Sequence, residues 1–594
     1  MKCSSVAVIY SVLIFSVPIF GQTAKIPPAL SSTATGAKVN VIVRYRSAPT
    51  PDQHAKTLSN GGILRADLSL INSGAYSIPT SSLPTIAADP NVDSIDIDHP
   101  VHSLLDLTTA AVKAQVAWRV YGLSGAGIGV AVIDSGITDV DDLRSNGVSR
   151  IVYKENFIKA LSSDDYFGHG EHVSGIIASG GRDSTCFNCF RTFRGIAPGV
   201  QLVDLRVLDS TGKGADSFVI AAIQRAIELK DVYNIRVMNI SLGHPVVESF
   251  KSDPLCRAVE LAWKAGIVVV VAAGNDGRDN SFNNNGYGTI NTPANDPYVI
   301  TVGAMKTMET PQRDDDRIAS YSSKGPTMID HVLKPDIVAP GNLVVSLLSP
   351  LGALQRTYPS NLVPLDYFEW TWSTAQSPNY FTLSGTSMAA PVVSGAAALL
   401  LEAHPEYTPD QVKARLMVSA SKTFPQSSIA YEPTTGQSFI SYYDPFTVGA
   451  GYLDIEAALA DRHQFSGVAN SPAVSFTPGS KAAPTLVFGP STICGVSTNE
   501  QSLDTQPSWS ALNGPNAEAI WSNQSVWSNQ SVWGNQSVWS NQSVWGNQSV
   551  WSNQSVWSNQ SVWGNQSVWG NQSVWSNYAN QTNPSSLIPI LGEH

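Results

Sequence analysis

Three short segments carry residue types that do chemistry only in company. Val132-Ile133-Asp134-Ser135-Gly136 ends an apolar run on a carboxylate. That is the carboxyl edge of a strand, where open α/β sheets place their sites, although a strand-end Asp is equally a turn cap. Gly168-His169-Gly170-Glu171-His172-Val173 sets an imidazole between glycines that let a helix start close to other backbone. His169 and His172 at i and i+3 also invite a metal reading, but H-E-x-x-H spacing is absent and no third ligand stands nearby. Phe381-Thr-Leu-Ser-Gly385-Thr386-Ser387-Met-Ala-Ala-Pro391 places Ser387 in the first turn of a small, apolar helix. The N–H groups there have no helical partner and carry partial positive charge. The plain alternative is a Ser/Thr cap, which Thr386 can itself supply. Combined, the three become one site. Ser387 attacks, His169 takes and returns the proton, and Asp134 orients the imidazole and stabilises its cation.

With these residues in this order, the stretch from about Gly125 to Ala460 resembles the subtilisin-like serine proteases, the subtilases. Asp134-Ser-Gly, His169-Gly-x-His172-Val and Gly385-Thr-Ser387-Met-Ala-x-Pro391 match that family's three catalytic signatures. The resemblance implies that Asn275, in Ala272-Ala-Gly-Asn275, donates its side-chain amide to the oxyanion, with the Ser387 N–H as the second donor. It implies that Ser241-Leu242-Gly243 and the segment around Gly212-Lys-Gly214 flank an extended peptide, and that Asn291 and Ala294 form the pocket floor. Pairing through main chain is blind to sequence, so broad polypeptide substrates are expected. No acidic pocket floor is evident, which argues against strict Lys/Arg selectivity. The chemistry requires no cofactor. The family admits structural calcium, for which Asp141-Asp142 and Asp164-Asp165 are the candidate pairs. Two residues depart from the usual pattern. Glu171 stands where Thr is commoner, and a carboxylate near His169 is expected to raise the imidazole pKa. His244 stands where a second Gly is commoner and narrows the groove.

Such a site needs a rigid sheet behind it. Gly127–Ile133, Leu202–Leu208, Val237–Ile240 and Ile267–Val271 are apolar runs of strand length without alternation. Between them, Phe218–Lys230 sets Val219, Ile220, Ile223 and Ile227 on one helical face. Strands apolar on both sides are buried on both sides. The expected fold is therefore α/β, a doubly wound, mainly parallel sheet with helices on both faces, over 107–462. Gly341–Thr382, with Tyr367, Phe368, Trp370 and Trp372, reads as a long surface loop near the substrate or, alternatively, as a packed segment. Ahead of this domain, 22–106 reads β-α-β-β-α-β, a small α+β ferredoxin-like unit. Subtilases are commonly made with a pro-domain of that outline, so the resemblance implies an intramolecular inhibitor, removed by self-cleavage near Ser103–Ala111.

Met1-Lys2 and the apolar run Val6–Phe20 read as a signal peptide over 1–21, since the run falls short of the ~20 residues a spanning helix needs. The chain of 594 residues has 36 Lys+Arg and 47 Asp+Glu, a net charge of −11, which argues against a nucleic-acid partner. Charged residues are only 14%, against roughly 25% in an average domain. Uncharged polar residues must supply the surface, as is common outside the cell. Cys186-Phe-Asn-Cys189 reads as a local disulfide or two free thiols. Residues 463–520 form a linker or small β module. From Trp521 a six-residue repeat, Trp-(Ser/Gly)-Asn-Gln-Ser-Val, runs for nine copies to Val574; the repeat unit is taken as 521–576 and the end as 577–594. An even period keeps Trp on one strand face, so a stacked β-roll and a low-complexity stalk are both consistent with it.

The expected function is a secreted serine endopeptidase, extracellular or at the cell surface. A sedolisin-type acid protease is disfavoured because His169 and Asn275 are both present. A second alternative is an inert display protein on a protease scaffold, whose Trp repeat contacts glycans or a cell surface.

Overall fold

The computed structural model describes residues 25, 38–97, 104–105 and 107–475, apart from 159–161, 282–283, 372, 374, 434, 463–464 and 466, and then 485–487 and 593. The signal peptide, Trp372, Cys494 and the 521–576 repeat lie outside the described residues. The chain divides into two compact units, 1–103 and 104–594.

In the first unit, strand β1 (Lys38–Tyr45) alternates, turning Val41, Val43 and Tyr45 into a core with Tyr76, Ile78, Leu83, Ile86, Val92 and Ile95. Helix α1 (Pro51–Ser59) starts on a Thr50/Gln53 capping box with Pro51 behind it. Strands β2 (Ile63–Leu68), β3 (Ser73–Pro79) and β4 (Val92–Ile97) and helix α2 (Leu83–Ala87) follow. The antiparallel sheet runs β2-β3-β1-β4. The β-α-β-β-α-β order is the expected one. Its least obvious strand is β2, where Arg65 and Asp67 interrupt the apolar pattern and most side chains are exposed.

In the second unit the apolar runs become strands. They are β5 (Gly129–Asp134), β6 (Ile151–Asn156), β7 (Gln201–Arg206), β8 (Ile235–Ile240), β9 (Val268–Ala272), β10 (Ile300–Lys306), β11 (Arg317–Ile318) and β12 (Ile337–Pro340). The order is β11-β10-β9-β8-β5-β7-β6, with β12 also on β10. All pairs are parallel except β10–β11. Helices α3 (His169–Ala178), α4 (Asp216–Glu228), α5 (Pro254–Lys264), α6 (Thr386–Ala403) and α7 (Pro409–Ser419) cover it. Every residue of β5, β9 and β10 is buried, as a sheet with helices on both faces requires. Helix α6 is long and apolar enough to cross a membrane but lies in the core, buried from Thr386 to Leu401.

Of the two readings of Gly341–Thr382, surface loop or packed segment, the structure shows largely the second. Val344–Leu347, Leu362–Pro364 and Gln376–Leu383 form a small antiparallel sheet. Phe368 and Tyr380 are buried, with ring centroids 5.5 and 4.7 Å from that of Phe193. Trp370 is exposed. Cys186 and Cys189 are joined as a disulfide, and Cys256 is a buried free thiol.

Candidate active site

β5 and β8 are neighbours, with Ile133 beside Ile240, so the residues that follow each strand emerge side by side at the carboxyl edge of the sheet. Asp134 ends β5 and Ser241 follows β8. Asp134 is buried, and its Oδ1 accepts from the Ser135 N–H at 2.7 Å and from His169 Nδ1–H at 2.7 Å. That pairing fixes the proton on Nδ1 and leaves Nε2 as the basic nitrogen. The imidazole reaches the carboxylate because α3 starts almost on top of the loop after β5. A Cβ on Gly170 would sit 2.3 Å from the Gly136 carbonyl oxygen, so only glycine permits the approach.

Ser387 lies in the first turn of α6. Its hydroxyl donates to the Ser241 carbonyl at 3.1 Å, and the Ser241 hydroxyl donates back to the Ser387 carbonyl at 2.9 Å. Pro391 makes the second bond available. In a regular helix the Ser387 carbonyl would accept from residue 391, but proline has no N–H. The Gly-Thr-Ser-Met-Ala-x-Pro pattern thus frees a carbonyl that ties the helix start to β8. Ser241, Asp134 and His169 are held by β8, β5 and α3, and α3 packs against α6.

Asn275 follows β9 by three residues. Its Oδ1 accepts from the Thr386 N–H at 2.9 Å and from the Thr386 hydroxyl at 3.1 Å. With the oxygen engaged, Nδ2 is the end left to donate beside Ser387. Gly385 has φ 143°, and a Cβ there would stand 3.4 Å from that Nδ2.

The other residues singled out in the sequence surround this edge. Gly243 passes so close to the Thr292 carbonyl that a Cβ would meet its oxygen at 2.5 Å. His244–Pro245 pairs antiparallel with Asn291–Thr292, and Ala294 is buried just beyond. Gly214 leads into α4, whose first residue, Asp216, lies 3.3 Å from His244 Nε2. The Asp216–His244 contact therefore links the 212–216 and 241–245 segments. Burial alone would lower the His244 pKa, but the Asp216 hydrogen bond and charge prevail and raise it.

Three findings bear on the sequence reading. His172 is buried, and its Nε2 contacts the Val344 and Phe381 carbonyls at 3.1 and 3.0 Å. Burial and the neighbouring His169 push its pKa down to about 3, so it is neutral. Glu171 is buried and engaged away from solvent. Its Oε2 accepts from the Thr138 N–H at 2.6 Å, and burial plus Asp165 hold its pKa well above the ordinary carboxyl range. Finally, an acidic group adjoins Asn291: Asp276 Oδ2 accepts from Asn291 Nδ2 at 3.2 Å. Neighbouring protein atoms crowd the carboxyl and raise its pKa to about 6, although the residue as a whole is exposed to solvent. Its position next to Asn275 was the available signal, but a neighbour in sequence does not reveal which way a side chain turns.

Among the described residues, the carboxylates of the calcium candidates do not gather into one cluster. The Asp142 carboxylate accepts from Ser179 Oγ (3.0 Å), Tyr380 Oη (2.9 Å) and the Asp183 N–H (2.9 Å). Asp165 accepts from Ser135 Oγ and the N–H groups of Phe167, Gly168 and Glu171. Asp164 is 2.6 Å from Lys154 Nζ, and Asp141 is 4.0 Å from Arg144. Protein donors already engage the Asp142, Asp164 and Asp165 carboxylates, whereas the Asp141 carboxylate is largely exposed. Among the described residues, the single metal-like grouping is Cys186, Cys189 and Glu369, and its two thiols are bonded to each other.

The raised Glu171 pKa makes a pH prediction. In the unfolded chain Glu171 ionises near its ordinary value of 4.5, while the folded state resists ionisation. Native stability is therefore intact below that pH and is lost progressively as pH rises toward the folded pKa. A Glu171→Gln variant cannot ionise in either state. Its stability relative to the native chain should be lowest at pH 4 and increase with pH above 4.5, measured as paired denaturant midpoints. A difference independent of pH would show that Glu171 ionises freely in the fold.

A model of the subtilase family matches residues 125–439. The serine protease AprX of Bacillus subtilis is 35% identical over 367 residues, 60% of this chain and 76% of that protein. Subtilisin E of Bacillus subtilis is 32% identical over 401 residues, 67% of this chain and 83% of that protein. An extracellular serine proteinase of Thermus sp. is 31% identical over 387 residues, 63% and 75% of the two chains.

Proposed function

The chain belongs to the subtilase family and is a serine endopeptidase, and from that premise we propose that Ser387, His169 and Asp134 are its catalytic triad, with Asn275 and the Ser387 N–H as oxyanion donors. The observation that carries this reading is the 2.7 Å bond from His169 Nδ1 to Asp134 at the sheet edge where Ser387 is anchored. A hydroxyl proton serves one acceptor at a time. For attack, the Ser387 hydroxyl leaves the Ser241 carbonyl and passes its proton to His169 Nε2. Asp134 stabilises the imidazolium that forms. The carbonyl carbon becomes tetrahedral, and its oxygen takes up charge against Asn275 Nδ2 and the helix-start N–H. His169 then protonates the leaving amine, and water repeats the cycle on the acyl-enzyme. The test is labelling with a serine-reactive fluorophosphonate: the native protein should label and Ser387→Ala should not.

The peptide lies extended between the segments of Gly214 and of Ser241, Leu242 and Gly243, and its side chain enters the pocket bounded by Asn291 and Ala294. Asp276 gives that pocket a pH-dependent charge. With its pKa raised above the ordinary carboxyl value, toward about 6, the carboxyl gains its charge as pH rises through the mildly acidic range. The ratio of kcat/KM for Lys over Leu at the residue before the cut should therefore rise several-fold from pH 5 to pH 7.5. An Asp276→Asn variant should flatten that rise. A flat ratio in the native enzyme would remove Asp276 from the pocket.

Residues 1–21 direct secretion and 22–106 act as an inhibitor-type pro-domain. Leu107–Ala111 is helical, and the Ala111 carbonyl accepts from Arg313 Nη2 at 2.6 Å. A protease that needs extended backbone should cut ahead of this helix. Sequencing the amino termini of secreted native and Ser387→Ala protein tests both points: the native product should begin before Leu107, and the variant should retain the pro-domain. The Trp repeat would then contact a cell surface or glycans outside the cell.

A further inference from the structure

Glu593 occupies a site too complete to be incidental. Its carboxylate is buried within 3.2 Å of both Arg278 Nη2 and Lys306 Nζ. The same carboxylate accepts from the Ser320 N–H at 2.9 Å and the Ser320 hydroxyl at 2.6 Å. Its main chain is read as well. Asn342 Nδ2 donates to the Glu593 carbonyl, and the Glu593 N–H donates to Asn342 Oδ1, both at 2.9 Å. Two cations, two neutral donors and one side-chain amide paired with both main-chain groups of a single residue make a receptor for an acidic residue in extended chain.

The receptor itself is rigid. Arg278 is further held by Glu432 at 3.1 Å and by the Phe439 ring, 4.4 Å from its guanidinium carbon. Asn342 follows Gly341, whose carbonyl accepts from the Gly385 N–H at 2.8 Å and from Tyr321 Oη at 3.0 Å. Gly385 is the residue before Thr386-Ser387. The site therefore lies one hydrogen bond from the loop that presents Ser387.

The chain is also anchored before the repeat. Ala473–Ser475 pairs with Thr485–Val487, the Val474 N–H donates to the His331 carbonyl at 2.8 Å, and the Leu333 N–H donates to the Pro472 carbonyl at 2.8 Å. We infer that the pocket of Arg278, Lys306, Ser320 and Asn342 is a built acceptor for the chain's own Glu593, so that the stretch 488–592, repeat included, is tethered to the protease unit at both ends. The second anchor stands beside the nucleophile loop.

The test uses the full chain as Ser387→Ala, to prevent self-digestion. A zero-length carbodiimide joins an amine to a carboxylate only when the two touch. Peptide mass mapping should recover a Lys306–Glu593 amide, with Lys113–Glu456, 2.8 Å apart in the fold, as the internal control. In a second arm, hydrogen exchange at the Ser320 amide should accelerate at least tenfold in Glu593→Ala. Control cross-links without Lys306–Glu593, or Ser320 exchange unchanged in the variant, would overturn the assignment. The cross-linking arm needs no change at 593, so it stands even if that variant is perturbed.

Discussion

Replacing Ser387 by alanine is expected to lower kcat on protein or peptide substrates by on the order of 10⁶, with the fold intact; the size is carried over from a subtilisin. No other single change should cost more. His169→Ala should cost about as much, and the double variant little beyond either alone, because a base without its nucleophile has no proton to accept. Asp134→Asn should retain somewhat more activity, with a loss on the order of 10⁴. Asparagine can still accept at Oδ1 but cannot stabilise the imidazolium, and its amide can turn to hold the wrong tautomer. Steady-state kinetics on the purified variants check the series, with near-ultraviolet circular dichroism to confirm the fold. Because Ser387 and Ser241 hold each other through two hydrogen bonds, Ser387→Ala keeps the bond from Ser241 Oγ to the main-chain carbonyl. The helix start should stay in place, which makes the variant a clean probe of chemistry. Full additivity of the His169 and Ser387 losses would show that the two do not act as one unit.

Replacing Asn275 by alanine is expected to reduce kcat by about 10²–10³, a magnitude that also originates in a subtilisin, with KM nearly unchanged. The ground-state carbonyl makes weak use of the donor and the oxyanion makes strong use of it, so the loss belongs to the transition state. A second, separable effect is expected here. Asn275 Oδ1 is the acceptor for the buried Thr386 N–H, and leaving that group unpaired costs about 1–3 kcal/mol of stability. Activity must therefore be measured well below the lowered unfolding midpoint. A kcat loss that merely tracked the fraction unfolded would leave Asn275 a brace for Thr386 and nothing more.

Local signals carried much of this protein. Glycines beside His169, Gly-Thr ahead of Ser387 and the proline four residues after it are legible because each answers a need met within one turn of chain. Val268–Ala272 could be read as a buried strand because four consecutive valines leave no polar face. Strand Ile63–Leu68 was poorly marked because an edge strand needs to be apolar on one side at most. The aromatic stretch Tyr367–Trp370 shows the opposite failure. Its composition fits a surface loop and a packed layer equally, and only the arrival of Phe193 from another segment separates them.

What sequence alone determined was the set of groups proposed to react and the sheet behind them, since apolar periodicity and backbone-permissive residues act over short separations. The charge states and the neighbours were decided by tertiary structure. Whether Glu171 is an anion depends on Asp165 and on burial, whether His172 can hold a metal depends on two carbonyls of distant strands, and whether the pocket is acidic depends on where Asp276 turns. Electrostatic energy depends on distance through space and on the exclusion of water. Neither quantity exists until the chain has packed, which is why the Asn342–Glu593 pairing, 251 residues apart, leaves no trace in the order of the residues.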